Sequence, residues 1–176
     1  DVKALVYSAG EVNYNFQILD AVTQVNEIQK SHLVTKIKRY FGNLKGKHFA
    51  LWGLAFKPNT DDIREAPALE IIEVLLKEGA TVAAFDPEAM PNVKAIVGDK
   101  IVFCETTYDC LQNADALIIA TEWNEFRTPD FDKMLTMLKD PVIFDGRNVF
   151  DVATMEKKGF HYESIGRPLV NQPKFA

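Results

Sequence analysis

Two hydrophobic rhythms divide the chain near residue 42. Before it, Val12, Phe16, Leu19, Val22, Thr23, Asn26, Leu33, Ile37 and Tyr40 recur mostly at steps of three and four, with Lys, Gln and Glu between them. That period predicts an amphipathic α-helix from near Asn13 to Tyr40. Lys38 and Arg39 near its end and Gly42 just beyond suit a helix C-terminus. At 1.5 Å per residue such a rod is about 40 Å long, too long to bury its whole stripe against a small domain. It is expected to meet another domain or another subunit; folding back on its own domain is the alternative.

From Lys47 onward, short apolar runs alternate with helical stretches. KHFALWGLAF, TVAAFDP, KIVFCE, ALIIAT, PVIFDG and FHYESIG read as strands. APALEIIEVLLKEG (ended by Gly79), MPNVKAIVG, TYDCLQNAD, DFDKMLTMLK and VATMEKKG read as helices, and EWNEFRTP as a loop. Strands that are apolar throughout belong in a parallel sheet covered on both faces. With right-handed crossovers, the expected fold is α/β: a Rossmann-like doubly wound parallel sheet of about six strands preceded by a long α-helix. Residues 1–42 then form the helix segment, 43–168 the sheet domain and 169–176 a tail, within a stretch, RPLVNQPKFA, whose two prolines read as a loose end.

Composition narrows the function classes. The length of 176 residues favours one compact domain with a modest appendage, or two very small domains, and a composition 47% hydrophobic and 26% charged argues against disorder. Twenty-five acidic against twenty basic side chains give a net charge of −5, so neither nucleic acid nor a membrane surface is expected as a partner. Two cysteines make no disulfide scaffold, the N-terminus resembles no signal peptide, and no apolar run approaches the roughly 18–20 residues that span a bilayer. A soluble, cytoplasmic protein is the expectation. The chain opens on Asp1 with no initiator Met, which suggests a piece of something longer.

In an open parallel sheet, ligands bind beyond the carboxyl ends of the strands. The first strand, read as ending at Phe56, runs into Lys57 and on to Arg64; the second ends at Asp86, the fourth at Thr121-Glu122-Trp123, and the fifth at Asp145-Gly146-Arg147. Lys57, Arg64 and Arg147 are thus expected to converge on one rim and to favour an anionic ligand, since ammonium and guanidinium groups pair well with phosphate. A dinucleotide fold would carry G-x-G-x-x-G after its first strand; this chain has only Gly53 there. Asp86 stands where a ribose-binding acid would stand, with a loop-capping carboxylate beside Pro87 as the plainer reading.

Other residues offer less. Asp61, Asp62 and Glu65 precede a helix, and Asp62 with Glu65 has capping-box spacing, with Pro67 suited to the first turn. No histidine lies near them to make a metal site. Cys104 and Cys110 lack an adjacent His and read as buried structural thiols. His32, His48 and His161 are scattered, and Trp52 reads as core. Trp123 and Phe126 either cover a ligand or close the sheet. The residues alone describe an anion-binding α/β module with no catalytic apparatus of its own.

GLAFKPNTDDIREAP resembles the motif opening the C-terminal domain of the nucleotide-sugar 6-dehydrogenases, the UDP-glucose/GDP-mannose dehydrogenase family. DVKAL with the VNEIQK helix is similar to the family's central segment, and AFDPEAM, ADALIIATEWNEF, VIFDGRNVFD and FHYESIG follow its C-terminal domain in order. The resemblance implies that the whole enzyme oxidises a UDP-sugar primary alcohol to the acid with two NAD+, through a thiohemiacetal and a thioester on a cysteine. Asp1 matches the aspartate of the family's Cys-x-x-Lys-Asp segment and is the catalytic candidate. The thiol and the glycine-rich NAD domain would lie upstream, so the fragment is expected to be inactive alone.

By the same resemblance, Phe56, Lys57 and Arg147 bind the substrate, UDP-glucose or its product UDP-glucuronate. Arg64 reaches NAD, and the long helix forms a homodimer interface. Cys104 and Cys110 do not match the nucleophile. The wording KPNTDDIREAP favours UDP-glucose over UDP-N-acetylmannosamine or GDP-mannose. A self-standing nucleotide-binding module and a dimerisation scaffold remain the competing readings.

Overall fold

The computed structural model describes residues 2–170, Lys3 by its backbone alone. These fall into two compact units, one up to His32 and one from Leu33 on. In the first, α1 (Val2–Glu11) precedes the start of α2 (Gln17–Phe41), which is the expected helix; α1 is an additional one. The break has a local cause. Asn13 sits at φ 55° and returns its N–H to the Gly10 carbonyl, while Tyr14 donates to Ala9. This is a left-handed helix ending, to which asparagine is suited. Helix α2 restarts four residues later than the periodicity placed it, with Leu19 and Asp20 donating to the Phe16 carbonyl.

The second unit begins with the buried residues of α2, Leu33, Val34 and Ile37. Its sheet holds β1 (His48–Trp52), β2 (Thr81–Phe85), β3 (Val102–Phe103), β4 (Ala116–Ile119), β5 (Val142–Asp145) and β6 (His161–Ser164). The order is β3-β2-β1-β4-β5-β6 and every pair is parallel. This is the doubly wound arrangement expected, and the direction in which successive strands are added reverses between β1 and β4. Strands β4, β5 and β6 are buried at every position, as a two-sided sheet requires. Val170 closes the β6 edge by a reciprocal bridge to Tyr162. Near the other end of β6, buried Glu163 takes Arg39 of α2 at 2.6 Å and Lys36 at 3.7 Å.

The covering helices are α3 (Pro67–Lys77), α4 (Met90–Val97), α5 (Phe131–Met137) and α6 (Val152–Lys158). Helix α3 buries Ala68, Ile71, Ile72 and Leu75, one face at helical spacing. Asp130 and Asp151 cap α5 and α6 through the N–H groups of Lys133 and Thr154. The expected helix TYDCLQNAD shrinks to a 3-10 turn, Asp109–Leu111, held by reciprocal bonds between Thr106 and Asp109. Among the described residues no helix is long and apolar enough to cross a membrane.

Candidate functional site

The first strand stops at Trp52 rather than Phe56. Gly53 turns the chain at φ +90°, and a Cβ there would lie 2.5 Å from the Thr121 Cβ and 2.6 Å from its nitrogen. Leu54 and Ala55 are still buried, which is why the apolar run overshoots the strand. Their N–H groups donate to one oxygen of Asp86, at 2.6 and 3.0 Å, and the Trp123 indole donates to the same oxygen at 3.0 Å. The other oxygen of Asp86 takes Glu88 N at 2.9 Å and Ala89 N at 2.7 Å. One buried carboxylate therefore fastens the loops that leave β1, β2 and β4. The loop-capping reading of Asp86 is the one the geometry supports.

Asp145 does the same at the end of β5. It accepts from Arg147 N, Val149 N and Phe150 N, and from the Tyr162 hydroxyl at 2.7 Å. Burial, with the Asp145 charge beside it, pushes the Tyr162 phenol above its ordinary range, so it stays a donor. Trp123 and Phe126 are buried, with the Phe126 ring 5.2 Å from that of Trp52; they close the sheet rather than lie open to a ligand.

Between these braces runs a cross-link. Arg147 Nε donates to the Ala120 carbonyl and Nη2 to the Phe56 carbonyl, each at 2.9 Å. It thus spans the crevice between the β1 and β4 exits, where the sheet order reverses. Thr121 Oγ1 crosses the same gap to the Ala55 carbonyl. Glu122 lies 3.2 Å from Arg147 Nε. The Phe56 side chain is 45% exposed. Lys57 beside it is exposed and makes no hydrogen bond or ion pair among the described residues. Phe56, Lys57 and Arg147 are thereby brought to one edge of the sheet.

Arg64 belongs to the same loop but is spent differently. Its guanidinium grips Asp62 at 2.9 and 2.7 Å, and its backbone N–H adds a third bond. The Arg64 side chain is 87% exposed. That grip, helped by Lys57, holds the Asp62 carboxyl at about 2. The capping box is therefore absent: Glu65 is left-handed at φ 62°, and α3 starts from Ala66 without a side-chain cap. A depression of about 530 Å³ is lined by Arg64 together with Asp61, Asp62 and Asn92, and the guanidinium there is already paired with Asp62. Asp1 lies outside the described residues.

Cys104 and Cys110 are buried and free. A hydrogen bond to Cys104, then burial, pushes the Cys110 thiol up, the opposite of an activated nucleophile. Among the described residues no cluster suits a metal ion. Asp145 and Glu122 had been named only as strand endings. The signal for Asp145 was present: like Asp86, it ends an apolar run and is followed at once by a turn residue, Pro87 in one case and Gly146 in the other.

Comparison with known proteins identifies the family. Residues 50–152 match the model of the UDP-glucose/GDP-mannose dehydrogenase family, UDP binding domain. The chain is 43% identical to UDP-glucose 6-dehydrogenase TuaD of Bacillus subtilis, over 97% of this chain and 37% of that protein. It is also 43% identical to the UDP-glucose 6-dehydrogenase of Pseudomonas aeruginosa, over 96% of this chain and 38% of that one. It thus spans less than two fifths of the length of these relatives. Among solved structures, the UDP-glucose dehydrogenase of Pyrobaculum islandicum superposes with a TM-score of 0.75 at 34% identity, covering 84% of this chain and 33% of that one. The crevice that Arg147 bridges lies inside the matched segment, and the chain belongs to the UDP-glucose/GDP-mannose dehydrogenase family, whose UDP-binding domain it carries.

Proposed function

We propose that this chain is the nucleotide-sugar-binding part of a cytoplasmic, NAD-dependent UDP-glucose 6-dehydrogenase, which converts UDP-glucose to UDP-glucuronate with two NAD+. In this reading Lys57 and Arg147 hold the diphosphate and Phe56 lines the same site. Asp1 serves the chemistry. One observation carries the reading: a guanidinium bridges the β1–β4 crevice and binds the Phe56 carbonyl, directly after which comes the exposed Lys57. The crevice itself does not fit NAD, because the N–H groups at its first turn are taken by Asp86. NAD is then bound mainly by residues outside this chain, with Arg64 reaching it.

Calorimetry with UDP tests the binding claim. A charge-assisted hydrogen bond contributes about 1.5–3 kcal/mol, so Lys57→Ala should weaken UDP binding by about tenfold or more. Absence of UDP binding by the wild-type chain overturns the reading. Homodimerisation is the second part of the proposal. Leu5, Tyr7, Val12, Ile18, Val25 and Ile28 are exposed on the first unit, an apolar set that a second copy would cover. Sedimentation should show a dimer, and a monomer at high concentration refutes it.

A further inference from the structure

Glu122 is an uncomfortable carboxylate. Its Oε2 is shut off from solvent and accepts no hydrogen bond, although Arg147 Nε lies 3.2 Å away. The reason is directional: the Nε–H is aimed at the Ala120 carbonyl instead. Water-excluded carboxylate oxygens without donors are costly, and the compensation here is Coulombic attraction to one guanidinium. An ion pair whose two side chains are each 30% exposed contributes little to stability by itself. The charge at Glu122 is better explained by what it does to Arg147.

Arg147 is a long side chain with much rotameric freedom to lose. Two carbonyl oxygens hold one edge of its fork, and Glu122 adds a charge that disfavours any swing away from that edge. The Nη2 bond to Phe56 in turn fixes the backbone from which Lys57 projects. We propose that Glu122 is a positioning residue for diphosphate binding: it holds Arg147 across the crevice and, through the Phe56 carbonyl, sets the place of Lys57. The proposal rests on the reading of this edge as the UDP site. Glu122 itself touches no ligand. If it merely diluted the positive charge of the edge, its removal would tighten UDP binding; positioning predicts the reverse.

The test uses Glu122→Gln, which keeps the shape and removes the charge, and Glu122→Asp, which keeps the charge on a shorter stem. Two quantities are measured: UDP affinity by calorimetry, and amide hydrogen exchange by NMR. The Phe56 amide, which donates to the Asp62 carbonyl at 2.8 Å, reports the loop; Ala50 and Leu51 in β1 report the core. Glu122→Gln should weaken UDP binding by about tenfold and accelerate exchange at Phe56 by a similar factor, with Ala50 and Leu51 unchanged. Glu122→Asp should recover part of both losses. Equal or tighter UDP binding in Glu122→Gln, unchanged exchange at Phe56, exchange accelerated equally in the core, or no recovery in Glu122→Asp each overturns the proposal. Should the wild type bind no UDP, the site reading fails on that result, while exchange at Phe56 still decides whether Glu122 positions the loop.

Discussion

Replacing Asp86 by Asn alters one atom at the point where three loops are fastened, so its effect can be worked from geometry. The carboxylate accepts five N–H donors, three on one oxygen and two on the other. An amide supplies one oxygen and one NH2. In the better of its two orientations the oxygen keeps Leu54, Ala55 and Trp123, and the NH2 faces Glu88 N and Ala89 N, donor against donor. At least two bonds are lost, and Ala89 N loses its acceptor in a buried place. A bond to a charged group is worth about 1.5–3 kcal/mol, so Asp86→Asn should destabilise by about 3–5 kcal/mol. That is a large share of the roughly 5–15 kcal/mol typical of a domain. With a urea slope of about 2 kcal/mol/M, the midpoint should fall by about 2 M. The readout is far-UV circular dichroism, because Trp123 fluorescence would report the lost indole bond itself. A loss below about 1 kcal/mol at unchanged slope would refute the brace.

Tyr162→Phe removes the hydroxyl bonds to Asp145 and to the Phe150 carbonyl and should destabilise by about 1–2 kcal/mol at neutral pH. Because the Tyr162 phenol is held above its ordinary range, above about pH 10 the unfolded chain ionises first and stability falls with rising pH. The phenylalanine variant lacks that contribution, so the gap between the two urea midpoints should narrow from pH 8 to pH 10.5; a constant gap refutes the assignment. At Asp62, carboxyl NMR titration should show a midpoint at about 2, returning to the usual aspartate range in Arg64→Ala; no change in that variant means the Asp62–Arg64 grip does not persist in solution.

How far the sequence could be read depended on the range of the forces involved. Strands β4 and β5 were visible because burial on both faces writes an unbroken apolar run. The same signal misplaced the end of β1, since Leu54 and Ala55 are buried as loop, under a brace supplied 31 and 32 residues away. Helix α1 escaped because the periodic positions begin at Val12, and the left-handed Asn13 separates them from the turns before it. The Asp62–Glu65 pair failed as a capping box because α3 starts from Ala66, which leaves Asp62 four residues before the cap and Glu65 left-handed at φ 62°. Lys57 and Arg147 were recognisable as strand-end cations from order alone. Glu122 was not, because its meaning depends on which way a guanidinium 25 residues later is turned.

The missing glycine fingerprint has a physical counterpart. In a dinucleotide fold, the turn after the first strand turns its N–H groups toward a pyrophosphate. Here the donors at that turn, Leu54 N and Ala55 N, already hold an anion, but it is the protein's own: the Asp86 carboxylate. Gly53 cannot open the turn further, because Thr121 packs against its Cα. A diphosphate arriving at this edge finds no main-chain cradle at the first turn and must be met by side chains. In the proposed function Arg147 and Lys57 meet it, the first anchored to two loops and the second exposed. On that proposal the same sheet keeps the switch-point crevice of a dinucleotide fold and changes what it binds, because a single aspartate fills the anion position from within and leaves recognition to side chains at the rim.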